Sequence, residues 1–333
     1  MTIFITGAAG FIGYHVAARL LSLGHAVTGF DGMTSYYDVS LKKARLARLA
    51  ATEGFTFVEA MLEDRPTLKT ALDSASPEIV IHLAAQAGVR YAFQAPDTYL
   101  QSNVVGTFNL LELLKERRPR HVLFASTSSV YGGNLESPSR ESDRTDFQMS
   151  LYAATKKSGE AMCHSYAHLF DIPTTALRFF TVYGPWGRPD MALFTFVRKI
   201  LAGEPIDIYG EGRMRRDFTY IDDLVDAIVA LIGVVPRKSR ALTCDSVSPV
   251  APYRAVNLAG GRPVQLTAYV DAIEAALGVS ATKRFLAMQP GDVVDTHASP
   301  ELLEELVGVI PTVEVGEGVA RFVAWYKGYY GSN

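Results

Sequence analysis

Cysteine is scarce in this chain: two occur in 333 residues, Cys163 and Cys244, in unrelated contexts and at no metal-ligand spacing. That excludes a disulfide framework or a thiolate metal site, and reads as two free thiols in a reducing compartment. Long apolar runs are missing as well, and none approaches the length that spans a bilayer. An excess of one charge is also missing. Lys plus Arg number 32 against 35 Asp plus Glu, a formal charge of −3, so no whole-chain basic field attracts nucleic acid or acidic membranes. Neither is expected as a partner. Repeats and low-complexity stretches are absent too. The opening Met1-Thr2-Ile3-Phe4-Ile5-Thr6 has no basic region of the signal-peptide kind and runs straight into glycines, so a cytoplasmic protein is expected.

What is present is an ordinary globular composition, 48% hydrophobic and 20% charged, with enough length for one large domain plus a lobe, or two domains. Short β-branched or aromatic runs alternate with helical patterns. Strands are expected at Ile3–Thr6, Ala26–Phe30, Phe55–Glu59, Ile79–Leu83, His121–Ser126 and Thr174–Phe179. Helices are expected at Phe11–Leu23, Leu41–Ala51, Thr98–Arg117 and Tyr152–Leu169. This βαβ rhythm predicts a parallel sheet with helices on both faces. After Tyr183-Gly184-Pro185 the texture changes, with Gly and Pro breaking the elements more often. Residues 1–180 are read as the nucleotide-binding domain, and 181–333 mainly as a smaller lobe with some segments returning to the sheet. The stretch Pro236–Pro252 is expected to be a mobile surface loop.

Thr6-Gly7-Ala8-Ala9-Gly10-Phe11-Ile12-Gly13 places three glycines between the first strand and the first helix. Such a turn lets backbone approach a pyrophosphate at a helix N-terminus, the Rossmann arrangement. Asp31 closes the second strand, where an acid accepts hydrogen bonds from a ribose 2′-OH and repels a 2′-phosphate, so NAD is favoured over NADP. After the fourth strand, Ala84, Ala85 and Gln86 are candidates to lie against the dinucleotide. Ser126-Thr127-Ser128-Ser129 follows the fifth strand, and Tyr152 and Lys156 stand one helical turn apart. A phenol is a poor base at neutral pH, and a neighbouring ammonium and a positive nicotinamide both favour its phenolate. Thr127 or Ser128 is placed to hold a substrate hydroxyl.

With these residues assembled, the chain resembles the extended short-chain dehydrogenase/reductase family over nearly its whole length. The resemblance implies a Rossmann-type doubly wound parallel sheet with a smaller, interleaved C-terminal α/β substrate lobe. It implies Tyr152 as general base, Lys156 as anchor of the nicotinamide ribose and Thr127 as supporting hydroxyl. Family members read adenine with an Asp after the third strand. Here Met61 takes that position, and the backbone N–H of Leu62 is the expected contact. Arg213–Asp223, with Arg216 as the clamp on a UDP diphosphate, and Gln289-Pro290-Gly291-Asp292, with Asp292 near the nucleotide ribose, resemble the nucleotide-sugar pocket.

Ser35–Lys43 and Arg178–Ala192 are similar to the uronate 4-epimerase branch. That branch implies UDP-glucuronate as substrate. Arg188 is expected at a sugar carboxylate or phosphate, with Thr181 and Arg90 as further candidates. Related dehydratases carry Asp-Glu where this chain has Ser128 and Ser129, and related decarboxylases keep the second acid. Hydride return to the opposite face of a 4-keto sugar is therefore the expected outcome. A UDP-glucose/UDP-galactose 4-epimerase stays open as an alternative, then a UDP-glucuronate decarboxylase, then an NAD-sensing regulator outside the enzyme class. The resemblance also implies a homodimer that pairs helices 98–117 and 152–169 into a four-helix bundle.

Overall fold

The computed structural model describes residues 1–238, 244–288 and 294–331. The chain opens with β1 (Thr2–Thr6), α1 (Phe11–Ser22), β2 (Ala26–Asp31), α2 (Val39–Ala50), β3 (Phe55–Glu59), α3 (Arg65–Ala75) and β4 (Ile79–His82). It continues with α4 (Pro96–Tyr99), α5 (Gly106–Arg117), β5 (His121–Thr127), α6 (Leu151–Phe170), β6 (Thr174–Phe179), β7 (Thr181–Tyr183) and α7 (Ala192–Leu201). Then come β8 (Ile206–Tyr209), β9 (Arg215–Tyr220), α8 (Ile221–Ile232), β10 (Tyr253–Leu258), β11 (Pro263–Gln265) and α9 (Leu266–Leu277). The last elements are β12 (Lys283–Leu286), β13 (Asp295–Thr296), α10 (Glu301–Val307) and α11 (Val315–Tyr330).

Seven parallel strands form the main sheet in the order β3-β2-β1-β4-β5-β6-β10. Both faces are buried, which is why the strands read as apolar runs and not as alternation. Ile3 and Ile5 pack with Val16 and Leu20 of α1. Phe4, pointing the other way, packs with Leu68, Leu72, Leu110 and Leu114. The winding reverses between β1 and β4, which opens a crevice at their carboxyl ends, the place where sheets of this kind bind ligands. The second half contributes a small mixed sheet of β11, β9, β13 and β7 and a two-stranded pair, β12 with β8, while β10 returns to the main sheet beside β6. No helix of the described residues is long and apolar enough to cross a membrane.

Two expectations change in detail. The helix read over 98–117 is interrupted by a π-helical segment, Leu100–Val105, between α4 and α5, the kind of widened turn often found at functional sites. The stretch 236–252 is anchored where it is described, and not a loose surface loop. Both carboxylate oxygens of Asp245 accept bonds from Arg254 at 2.8 Å, and Val247 and Ala251 are buried. Residues 239–243 of that stretch lie outside the described residues.

Helix α6 sits tightly on β5 because position 159 is glycine: a Cβ there would lie 2.3 Å from Cζ of Phe124. Gly159→Ala is therefore expected to destabilise the fold by about 1–3 kcal/mol through overpacking. Gly328→Ala, in the exposed interior of α11 with nothing within 4 Å, is expected to stabilise it by about 0.5–1 kcal/mol. Equilibrium urea unfolding of the two variants checks both signs, and equal effects would contradict the packing argument.

Candidate active site

The crevice holds a cavity of about 360 Å³. One end is built by the turn from β1 to α1. Gly7 has φ +74°, and a Cβ on it would come within 2.7 Å of the Ala84 backbone N; a Cβ on Gly13 would lie 2.0 Å from the Gly7 carbonyl oxygen. Side chains are thus excluded from the turn by geometry, not merely disfavoured. Gly10 caps α1 without a side-chain bond. The first-turn N–H groups of Phe11, Ile12 and Gly13 have no carbonyl of their own helix to bond, which leaves them for an anion. Asp31 braces the same turn: its carboxylate accepts from the Ala9 N–H at 3.0 Å and the Met33 N–H at 2.8 Å. The open helix end, the side-chain-free cradle and the acid at the end of β2 fit a dinucleotide. Leu62, Ala84, Ala85 and Gln86 line the same cavity.

At the other end stand Thr127, Tyr152 and Lys156. Burial pushes the Tyr152 phenol above its ordinary value, while its hydrogen bond with Thr127 and the charge of Arg188 pull the other way. The expected help from Lys156 is not what opposes burial here. Lys156 is itself buried, its ammonium 4.7 Å from the centre of the Phe124 ring. Burial brings its pKa down to about 8, against the raising influence of Cys163 and Glu160. His82 beneath them is fully buried between the hydroxyls of Thr6 and Thr107, at 2.7 and 3.0 Å. Burial and then the Lys156 charge lower its pKa to about 3, so it is neutral.

The two segments that carried the uronate-branch resemblance, far apart in sequence, meet on this cavity. The Tyr36 hydroxyl donates to Asp190 at 3.0 Å. Asp190 also takes a two-pronged bond from Arg188, whose Nε lies 3.0 Å away. Burial opposes the Arg188 charge, and Asp190 outweighs it and holds the guanidinium protonated. Arg45 of α2 is wholly buried and ties the segments together. It donates to the carbonyl oxygens of Ala9, Trp186 and Gly187 at 3.0, 2.6 and 3.2 Å, and to the Tyr37 hydroxyl at 2.8 Å. From α1, the His15 Nε2–H donates to Pro185 O at 2.9 Å.

Not every candidate reaches the cavity wall. Ser128 and Ser129 flank it, with the Ser129 Oγ 3.3 Å from the Thr127 hydroxyl. Thr181 lines a small neighbouring cavity of about 30 Å³ that shares Phe11, Val182, Arg188 and Met191 with the larger one. Arg90 is exposed and lies over the Tyr209 ring at 5.0 Å. Arg216 bonds the carbonyl oxygens of Arg215 and Val294 at 2.8 and 3.1 Å. Asp292 lies outside the described residues. Sequence reasoning missed Asn103 in the π-helical segment. Its amide accepts from Gln86 N at 2.8 Å and donates to Gln86 O and Thr155 Oγ1 at 3.0 Å, locking the loop after β4 to α6, the helix of Tyr152 and Lys156. Its segment, Leu100-Gln101-Ser102-Asn103-Val104-Val105, is half polar, so no local signal marked Asn103 out. Lys42, Glu63, Phe180 and Met191 also line the cavity. Among the described residues no group of His, Cys, Asp and Glu forms a metal site.

Comparison with known proteins agrees with this geometry. Residues 3–240 match the model of the NAD dependent epimerase/dehydratase family. A Rhizobium meliloti (strain 1021) protein named "Probable UDP-glucuronate 4-epimerase" is 58% identical over 99% of this chain and 98% of its own. UDP-glucuronate 4-epimerase 1 of Arabidopsis thaliana is 45% identical over 100% of this chain and 78% of its own. The crystal structure of the Bacillus cereus UDP-glucuronic acid 4-epimerase, in complex with UDP-glucuronic acid and NAD, superposes with a TM-score of 0.88. It is 32% identical and covers 99% of this chain and 100% of that one.

Lys156 sets a stability test. Its pKa falls on folding, from 10.5 to about 8, so the buried ammonium costs stability in full below pH 8. The cost fades as pH rises toward 10.5. Lys156→Met is expected to stabilise the NAD-free protein at pH 7 by on the order of 2–3 kcal/mol, and to bring no such gain near pH 10.5. Thermal midpoints at the two pH values check it; a midpoint that drops at pH 7 rules the burial cost out.

Proposed function

This chain belongs to the NAD dependent epimerase/dehydratase family, and on that premise we propose that it interconverts UDP-glucuronate and UDP-galacturonate by inverting C4 of the sugar. The observation that carries the reading is the grouping of Tyr152, Thr127 and Arg188 at one end of the crevice. There serines stand at 128 and 129, and the Asp190 carboxylate is engaged by Arg188. Names of relatives at 58% and 45% identity support the same substrate.

When bound, NAD supplies reversible hydride exchange at C4. Gly7, Gly10, Phe11, Ile12 and Gly13 are assigned to its pyrophosphate, Asp31 to the adenosine ribose and Lys156 to the nicotinamide ribose. Leu62, Ala84, Ala85 and Gln86 are assigned to the wall along it. Tyr152 removes the O4 proton as C4 is oxidised and returns it after the ring has turned over. Thr127 holds the phenol and the sugar hydroxyl in line. The keto sugar carries a carboxylate β to its new carbonyl and loses CO2 if the C5–carboxylate bond stands perpendicular to the carbonyl plane. Arg188, Thr181, Ser128 and Ser129 are placed to keep that bond near the plane. No acid stands at 128 or 129 to shuttle protons at C5 or C6. Residues 1–180 serve the dinucleotide in this scheme, and 181–333 mainly the UDP moiety, with Arg216 and Asp292 at the diphosphate and ribose and Arg90 at the rim. We assign the protein to the cytoplasm, a compartment that keeps thiols reduced, in keeping with its free Cys163 and Cys244.

Leu100, Val105 and Phe108 along the π-helical segment and α5 are exposed, as is Leu169 of α6. Burying such a row against its symmetry mate gives a homodimer through a four-helix bundle. Phe108→Glu is expected to yield monomer by light scattering where the parent chain gives dimer; a monomeric parent contradicts the assembly.

Incubation with UDP-glucuronate, followed by chromatography with mass detection, tests the reaction. The expected product is an isomer of unchanged mass. Tyr152→Phe is expected to lower turnover by at least about 10³-fold with UDP-sugar affinity kept within about threefold. Release of CO2 as the main path, turnover confined to UDP-glucose, or an active Tyr152→Phe variant would each overturn the assignment.

A further inference from the structure

Past Asp31 the cavity ends in a wall made by residues 60–63, after β3, and by Ser102 from the π-helical segment. Most of that wall is apolar. The Met61 thioether lies over Gly32, where a Cβ would come within 2.1 Å of its sulfur. Leu62 is buried against Gly106, and its carbonyl oxygen accepts from Asn109 Nδ2 at 3.2 Å. Glu63 differs from its neighbours. Its Oε1 accepts from the Ser102 hydroxyl at 3.3 Å, a long bond, and its Oε2 is buried with no hydrogen-bond partner among the described residues. A buried carboxylate oxygen without a donor is costly, so a group that brings an N–H to this wall gains affinity by satisfying it.

We propose that Glu63 is the residue that reads the base of the bound dinucleotide, accepting a hydrogen bond from the exocyclic amine of adenine. The inference rests on the assignment of NAD to this crevice and deepens it. Asp31 marks the adenosine ribose, so the base attached to that ribose meets the wall beyond it. Adenine presents an amino donor beside the N1 acceptor. A carboxylate suits the first, and a backbone N–H such as that of Leu62 suits the second. Hypoxanthine reverses both, placing a carbonyl oxygen against the carboxylate and an N–H against the backbone donor. Met61 carries no side-chain group able to make this distinction, so beside the backbone N–H of Leu62 the side-chain share of the discrimination falls to Glu63.

The experiment equilibrates the purified protein with an equimolar excess of NAD and nicotinamide hypoxanthine dinucleotide. Unbound material is removed, and the bound dinucleotides are released and quantified by chromatography. Occupancy is read, not turnover. The parent chain is expected to retain NAD over the hypoxanthine analogue by about 10- to 100-fold. Glu63→Gln keeps the side-chain shape and can turn its amide N–H toward a 6-oxo group, so its preference is expected to fall by at least about fivefold, leaving what the Leu62 N–H alone supplies. Equal retention by the parent chain, or an undiminished preference in Glu63→Gln, overturns the role of Glu63 while leaving NAD in place. Retention of neither dinucleotide by the parent chain overturns the cofactor assignment itself, and with it this inference.

Discussion

Arg45 is the pin on which the crevice depends. It is a wholly buried guanidinium with no carboxylate partner among the described residues, bonded to three carbonyl oxygens and one phenol. Burying a cation this way is expensive; the four bonds from its two terminal nitrogens offset part of that cost, while its Nε has no partner among the described residues. The consequence is mechanical. The Ala9 carbonyl belongs to the dinucleotide turn, and those of Trp186 and Gly187 belong to the loop that carries Arg188. One side chain thus fixes the distance between the glycine turn and the loop of Arg188. The planar fork of arginine reaches several acceptors at once, which a lysine ammonium on a single flexible stem does not reproduce. Hydride transfer demands such prior alignment, since small errors in distance between reacting atoms are costly in rate.

The features legible from sequence were local ones. The glycine turn, the strand runs and the Tyr152–Lys156 spacing each follow from backbone geometry or helical period, and the structure puts strand Thr174–Phe179 where it was expected. Features set by tertiary contact were not legible. By sequence Arg45 is one more basic residue on a helix, and nothing local shows that its partners lie at positions 9 and 186. What Arg90 and Arg216 rest against, the Tyr209 ring for one and backbone carbonyls for the other, was likewise not legible. Asn103 was passed over because a widened turn inside a helix has no periodic signature. The stretch 236–252 looks loose from its prolines, and the pair that anchors it joins Asp245 inside the stretch to Arg254 on β10, a contact that no local pattern announces.

The electrostatics of the crevice make the ligands part of the structure. Lys156 and Arg45 are buried cations, the first turn of α1 adds a partial positive charge, and Lys42 lines the same wall. Asp31 and Asp190 answer part of this, but both are held by local partners. A dinucleotide carries its negative charge at the pyrophosphate, and a nucleotide sugar carries its own at the diphosphate. Each therefore supplies what the protein lacks, and binding stabilises the folded state by mass action.

The same reasoning explains how one fold separates inversion from decarboxylation. Both outcomes pass through a C4 ketone, so the oxidation step does not choose between them. What chooses is the orientation of the C5 carboxylate and the presence or absence of a nearby proton donor. On the proposed reading, hydroxyls at 127, 128 and 129 face the anion without protonating it, because their protons are far too weakly acidic. Arg188, which we propose faces the sugar carboxylate, is already paired with Asp190, so the charge it can offer is partly spent. A lone cation would bind the carboxylate more strongly, but an aligned neutral-to-weakly-positive frame suits an enzyme that must let the ring turn over between two hydride transfers. Tight binding of one face would trap the keto sugar; a site that positions without gripping returns the hydride to the other.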